Sequence, residues 1–555
     1  MRQNFRTGGA AGGFHVVACG VNMLSPVNKV TGVITLAALL ALPLTGCNML
    51  TGADQFVVDG DDGDGDGDGS GNGNGNGNGN GNGNGNGNGS GGGGLGGGAG
   101  QGGSPVVDTS TDATGMSVER VDFYQAVKST VFQGGSPQSP SLRLVANRPA
   151  VVRVFVSSSG ATGAPVTARL TVGESVLETA VTVGSGGSDQ NFGSTVNFDV
   201  PANMMAPGAS WRVQLLEDVS TAQGANPAAS TPSSSLSLTE SHRLKVTIIP
   251  ISYGADGSNR MPDTSAGQLE NYRSAFMTLY PTNEVELELG PTLGWNGGIY
   301  SDGSGWDSLL NSLSEERQSS NAEFDEFYYG VFEPASSFGG YCGGGCVSGL
   351  GFIGDPNGEY SRAAIGLGYT GEVAIGTAVH EVGHNHGRPH SPCGGVSGAD
   401  QNFPHSGGSI GTWGMNIFSH DMVSPETKDF MGYCDPTWIS DYVYENILSF
   451  MQSTGGQALY IPEESMNQSY ERIAIGGSGS TFLSPLTMER PPFGTIKNVE
   501  VTLQDGSTTT VQGTFYAYDH LPGGVLFVKQ QASLISSASA SFDLGTGSQT
   551  VSVSR

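Results

Sequence analysis

The sequence predicts a multidomain protein in which a central α/β (α+β) segment is flanked by an N-terminal β-sandwich and a small C-terminal β-domain. Three observations predict it. The chain has 555 residues, more than one hydrophobic core accommodates. It contains 90 glycines while only 13% of residues are charged, a composition of turn-rich β folds plus a low-complexity stretch. Apolar residues also change from strand-like to helix-like spacing only in the stretch that begins near Leu244. The expected boundaries are 1–46 leader, 47–115 tether, 116–240 β-sandwich, 241–455 α/β segment and 456–555 C-terminal β-domain.

Thr31 to Leu44 (TGVITLAALLALPL) follows Lys29 and ends at Leu44-Thr45-Gly46-Cys47. This apolar run is too short to span a bilayer and suits a signal-peptide core, with Met23 as an alternative start. Small residues just before a cysteine resemble the bacterial lipobox. That resemblance implies that Cys47 is lipidated and that the protein is an exported cell-envelope lipoprotein held at the membrane, on the outer surface. An ordinary cleaved leader is the alternative. Asp59 to about Ser104 is Asp-Gly, then Asn-Gly, then nearly pure Gly, with too few apolar side chains to offset ordering entropy. It reads as a solvated stalk.

Val118 to Phe123, Val151 to Val156, Ala168 to Val172 and Trp211 to Leu215 are short strands broken by Gly, Ser and Pro, the pattern of a sandwich. Leu244 to Ile251 (LKVTIIPI) reads as a buried strand. Leu269, Tyr272, Phe276 and Leu279 recur at helical spacing, and Val285, Leu287 and Leu289 at strand spacing. Asp307 is the expected cap of a second helix carrying Leu309, Leu310 and Leu313. Phe327 to Phe332 is a further strand, and Val499 to Leu503 and Val525 to Val528 belong to the C-terminal β-domain.

The formal charge of −28 argues against a nucleic-acid partner, which would be repelled. Of six cysteines, setting aside Cys19 in the leader and Cys47 leaves Cys342, Cys346, Cys393 and Cys434. Four allow three pairings in an oxidising compartment, with a Cys-ligated zinc as rival. Cys342 with Cys346 and Cys393 with Cys434 is the expected pairing, one short loop and one longer staple.

Gly371 to His390 reads GEVAIGTAVHEVGHNHGRPH and contains His380, Glu381, His384, Gly387 and His390 in the pattern HExxHxxGxxH. Residues four apart share a helix face, so His380 and His384 present both imidazoles to one cation. Glu381, rotated by about 100°, reaches a water on that cation without ligating it. Gly387 tolerates the positive φ that stops the helix and swings His390 round as a third ligand. Three imidazoles and one open position make a catalytic zinc site, whereas a structural zinc has four protein ligands. By chance the pattern should arise on the order of 10⁻⁵ times per chain. His386 fits no ligand spacing and reads as a loop or supporting residue.

This motif, with the later Asp429-Phe430-Met431-Gly432-Tyr433-Cys434, resembles the metzincin clan of zinc metallopeptidases. The wording HEVGHNHG and MGYCDPTWISDY is similar to secreted bacterial members, nearest to the mucin- and glycoprotein-cleaving lipoproteins. The resemblance implies a zinc endopeptidase acting on extracellular proteins or glycoproteins, with Glu381 as general base. It makes Met431 the floor beneath the metal and Tyr433 an oxyanion stabiliser or swinging ligand, with ordinary packing as the alternative for Tyr433. It also implies an extended substrate on an edge strand, for which Ala363 to Tyr369 is the candidate. The sequence departs from the clan at His386, where an aromatic or aliphatic residue is usual, and in a Gly/Ser-rich insert from Cys393 to Phe418. Two other functions stay open: a surface-anchored binding protein with an inactive metal site, and a zinc amidase acting on a non-protein substrate.

Overall fold

The computed structural model describes residues 109–555, apart from 141, 160–164, 182–185, 225, 321, 456–460, 478 and 544–547. The leader with Cys19 and Met23, the lipidation candidate Cys47 and the low-complexity stalk lie outside the described residues. The fold is mostly β, in several sheets, with five α-helices among the described residues. No described helix is long and apolar enough to cross a membrane.

At the N-terminal end a five-stranded and a seven-stranded sheet share one apolar core. Leu170, Trp211, Val213 and Leu215 of the first pack with Val121, Phe123, Val152, Val154 and Phe198 of the second. Alternate residues of each strand point inward, which is why the period-two pattern was readable. Pairing begins at Ser110–Asp112, which lies antiparallel to Leu216–Asp218, ahead of the expected boundary at residue 116. Those three residues are polar, so no apolar alternation marks them.

The central sheet contains β1 (Leu244–Tyr253), β2 (Val285–Leu289), β3 (Leu293–Trp295), β4 (Glu326–Phe332), β5 (Gly349–Gly351) and β6 (Ala363–Leu367). Its order is β2-β1-β4-β6-β5, with β3 also pairing β1. All pairings are parallel except that of β5, which runs antiparallel to β6 at the edge. Helices α1 (Ala266–Leu279), α2 (Trp306–Ser319), α3 (Phe338–Cys342), α4 (Glu372–Asn385) and α5 (Asp441–Gly455) complete this part. Neighbouring residues of a strand serve opposite faces. Ile248 and Tyr329 join the core formed with α1, α4 and α5, while Ile249 and Tyr328 join the one formed with α2 and the C-terminal sheet. Strands apolar on both faces are what a covered parallel sheet requires.

Two expectations are corrected here. Ala363–Leu367 is an interior strand, held between β4 and β5, and the edge is β5. Its five residues are all buried. Gly366 makes room for the Tyr329 hydroxyl, 2.0 Å from where a Cβ would stand, and leaves no backbone open to a substrate. Asp307 is not the cap of α2: Gly305, at φ 87°, is the N-cap, and Asp307 sits in the first turn, where its charge complements the helix dipole. The Gly/Ser-rich insert after Cys393 reaches the N-terminal sheet. Its Gly414–Met415 pairs antiparallel with Ala126–Val127 of the N-terminal sheet. Trp438 Nε1 donates to the Ala126 carbonyl at 2.9 Å, and the buried Arg148 guanidinium donates to the carbonyls of Met277, Thr278, Tyr280 and Thr282.

The C-terminal part is a seven-stranded antiparallel sheet. Its strands β7 (Thr508–Ala517) and β8 (Gly523–Lys529) form a hairpin whose rings, Tyr516, Tyr518 and Phe527, pack with Phe352 and Tyr360 of the central part.

Candidate metal centre and active site

Helix α4 places His380, Glu381 and His384 in the interior, each 0% exposed. It ends at His386 with a Schellman motif: Arg388 N–H reaches the Gly383 carbonyl at 3.2 Å and Gly387 N–H the His384 carbonyl at 2.8 Å. Gly387 takes φ 73°, the left-handed value that made a glycine necessary there. The chain thereby turns back and brings His390, 2% exposed, to the other two rings.

Each of these imidazoles is oriented by a backbone carbonyl. His380 Nδ1 lies 2.7 Å from the Phe430 oxygen, His384 Nδ1 2.5 Å from that of Arg388, and His390 Nδ1 3.0 Å from that of Ser397. A carbonyl only accepts, so each Nδ1 carries the proton and each Nε2 keeps its lone pair. The His380 and His384 Nε2 atoms face each other at 3.0 Å. Two lone pairs at that distance repel unless a cation lies among them. Burial, reinforced by the neighbouring imidazoles, holds His380 and His390 well below the usual histidine range, and burial brings His384 to about 4. The rings are therefore neutral at neutral pH, the form that binds metal. This donor set suits a metal cation.

Glu381 lies beside the rings, and neither of its oxygens has a hydrogen-bond donor among the described residues. Its side chain rests on Gly349 of β5: a Cβ there would stand 2.2 Å from Oε1 and 2.7 Å from Cγ and Cδ. Burial, together with the nearby Asp519 carboxylate, holds Glu381 well above the usual carboxylate range.

The turn after the helix supports the rings from below. Met431 is fully buried, its sulfur so close to Gly383 of α4 that a Cβ on that glycine would lie 2.5 Å away. Asp429 fixes the turn by accepting from Met431 N–H and Ser440 N–H, both at 2.8 Å, and burial raises it to about 6. Tyr433 places its hydroxyl 3.0 Å from His390 Nε2. The disulfide Cys393–Cys434 ties the segment after His390 to the residue after Tyr433, and Cys342–Cys346 closes the short loop before β5. Both pairings are the expected ones, and they fit an extracellular protein. His386 is a core residue: its Nδ1 faces the Val382 carbonyl at 2.8 Å and its ring stacks on Phe327 at 4.4 Å.

Two residues at this centre were not anticipated. Asp519 and His520, at the tip of the β7–β8 hairpin, place ligand atoms with those of His380, His384 and His390, all within 4.8 Å of one another. Asp519 Oδ2 is 3.2 Å from His384 Nε2 and in contact with His520 Nδ1. Burial opposes the Asp519 charge, but the His520 and His384 imidazoles outweigh it and hold the carboxyl well below its usual range. The sequence signal is faint: an Asp-His pair before Pro-Gly-Gly, about 130 residues from the motif and without ligand spacing to it.

Residues 353–458 match the sequence model of the Peptidase M66 family. No curated protein matches the chain. Among solved structures, metalloproteinase-II from Bacteroides fragilis is similar at 13% identity over 55% of this chain and 79% of that chain, with a TM-score of 0.22. So loose a superposition carries no structural argument. The family match, which takes in the whole of the three-histidine motif and the turn at Met431, supports a metallopeptidase.

Proposed function

We propose that the chain is a zinc-dependent endopeptidase that hydrolyses peptide bonds of extracellular proteins, glycoproteins included, and is tethered to the bacterial surface through Cys47. One observation carries the catalytic part: three imidazoles with their Nδ1 protons committed to carbonyls turn their lone pairs on one point, beside a carboxylate that has no donor of its own. His380, His384 and His390 would hold the metal. Zinc bound there supplies Lewis acidity, which lowers the pKa of a coordinated water and polarises a carbonyl.

Glu381 takes the proton of the attacking water and passes it to the leaving amine. Burial and the neighbouring Asp519 carboxylate raise Glu381 above the usual carboxylate range, the direction that favours its carrying the proton it passes on. The Tyr433 hydroxyl, beside His390, donates to the oxygen on which negative charge develops. An extended substrate would pair with the edge strand β5, whose Gly349 already touches Glu381.

A binding protein with a silent metal site is the second reading. It is favoured by Asp519 and His520, which bring the donors to five and so resemble a closed structural site. Glu381→Gln separates the two. The variant should keep about one zinc per chain and lose about 10²- to 10⁴-fold in cleavage of an unfolded protein. Retained cleavage refutes the general-base role, and no cleavage by the zinc-loaded parent, even with its hairpin tip altered as below, refutes the peptidase. Cys47→Ser should move the protein out of the membrane fraction, and unchanged fractionation would defeat the tether.

A further inference from the structure

The hairpin tip does more than approach the centre. Asp519 N–H donates to the Gly351 carbonyl at 3.2 Å, and Gly351 N–H donates to Asp519 Oδ1 at 2.8 Å. Just beyond, Tyr518 bridges Phe352 in antiparallel register and Ile353 N–H reaches the Ala517 carbonyl at 3.0 Å. Backbone from the C-terminal sheet thus continues along the end of β5, where an extended peptide would pair. The same tip delivers Asp519 and His520 to the three-histidine cluster, and the His520 ring stacks on Tyr433 with centroids 5.5 Å apart. Its side chain is 3% exposed and that of Glu381 1%, so neither substrate nor bulk water reaches the base in this arrangement.

We infer that this structure is a latent form, in which the hairpin tip caps the cation site with Asp519 and His520 and occupies the substrate edge as an internal pseudo-substrate. The inference rests on the peptidase reading above and names the regulation of that same site. Three imidazoles leave a metal one or more positions for water and substrate, whereas five donors leave none in tetrahedral or five-coordinate geometry. Residues 519 and 520 lie outside the 353–458 stretch that matches the peptidase family, in the β7–β8 turn of the C-terminal sheet. That sheet is anchored independently, by Tyr516, Tyr518 and Phe527 in the shared core and by Asn311 Nδ2 donating to the Tyr518 hydroxyl at 3.0 Å. Release confined to residues 519–522 opens the site without undoing the sheet.

The test uses the full chain loaded with Co²⁺ or Zn²⁺, comparing the parent with Asp519→Ala/His520→Ala. For the Co²⁺ forms the visible d–d absorption reports coordination number. The parent should show the weak band of a five-coordinate ion and the variant the stronger band of a four-coordinate one. The Zn²⁺ variant should lose metal faster to a chelator. It should also cleave fluorescein-labelled casein about 10- to 1000-fold faster, the inverse of an open fraction of about 10 to 0.1% in the parent. If the double variant does not fold, Asp519→Asn/His520→Gln, which retains the Gly351 hydrogen bond, replaces it with the same expected directions. An unchanged spectrum overturns the cap, as does a folded variant that cleaves no faster than an active parent. A changed spectrum with no cleavage by either form sinks the peptidase reading instead and leaves the capping contact supported.

Discussion

Gly349→Ala tests whether Glu381 acts from the position in which the fold holds it. The added Cβ would stand 2.2 Å from Glu381 Oε1, against an ordinary contact of at least 3.4 Å, so the carboxylate must retreat by about 1.2 Å (3.4 − 2.2). A displacement of that size at a reacting group costs about 10²-fold in rate. The stability cost is small by comparison. Overpacking costs about 1–3 kcal/mol, and the loss of glycine freedom in the unfolded chain returns about 0.4–1 kcal/mol. None of the imidazoles is among the three atoms nearest to that Cβ, so the metal content should not change. The assay is kcat and KM on a labelled unfolded protein, with zinc content and the unfolding midpoint measured alongside. Gly344→Ala, whose Cβ meets nothing within 4 Å, is the control from the neighbouring loop. A folded, zinc-loaded Gly349→Ala protein with kcat within about twofold of its parent would refute the placement of the base.

Tyr433→Phe removes the hydroxyl beside His390 and should lower kcat by about 10²-fold with little change in KM; an unchanged kcat would assign the ring to packing. Replacing Cys393 and Cys434 by serine opens a staple of sequence separation 41 and should cost about 4 kcal/mol in denaturant unfolding. A loss below about 1 kcal/mol would show that the Met431 turn is held without it. Arg148→Ala strands four carbonyls at the end of α1, three of them in buried contacts, where the guanidinium also meets the negative pole of the helix. A destabilisation of about 2–4 kcal/mol is expected, and a near-neutral change would mean that water replaces the guanidinium.

What could be read in the sequence was whatever depends on neighbours along the chain. The spacing of His380 and His384, the stop at Gly387 and the return to His390 are consequences of one helical turn and one Schellman motif, both local. The strand and helix pattern from Leu244 to Phe332 was readable because alternating faces of a covered sheet leave an apolar record. The expectations that fell depended on tertiary neighbours. Ala363 to Leu367 carries glycines that looked like an open edge, yet Gly366 is there to seat Tyr329. Asp307 has the chemistry of a cap, but the helix starts two residues earlier and uses Gly305. Asp519 and His520 were invisible because ligands contributed by a distant hairpin have no period, and an Asp-His pair before Pro-Gly-Gly reads as a turn.

The edge strand itself shows why the base and the cap belong to one design. At Gly349 the absent side chain is what lets the Glu381 carboxylate lie against the sheet. At Gly351 a Cβ would meet the Glu381 backbone oxygen at 3.2 Å and Asn385 Nδ2 at 3.3 Å, so the strand lies tightly against α4. A strand bare on the helix side is therefore pressed against the base, and its Gly351 N–H and carbonyl are the groups that Asp519 engages. A substrate pairing there must displace Asp519 from Gly351, and Asp519 leaves Gly351 only by leaving the imidazole cluster. Occupation of the edge and exposure of the cation are one equilibrium, so tighter substrate pairing should raise the open fraction in proportion to its preference for that state.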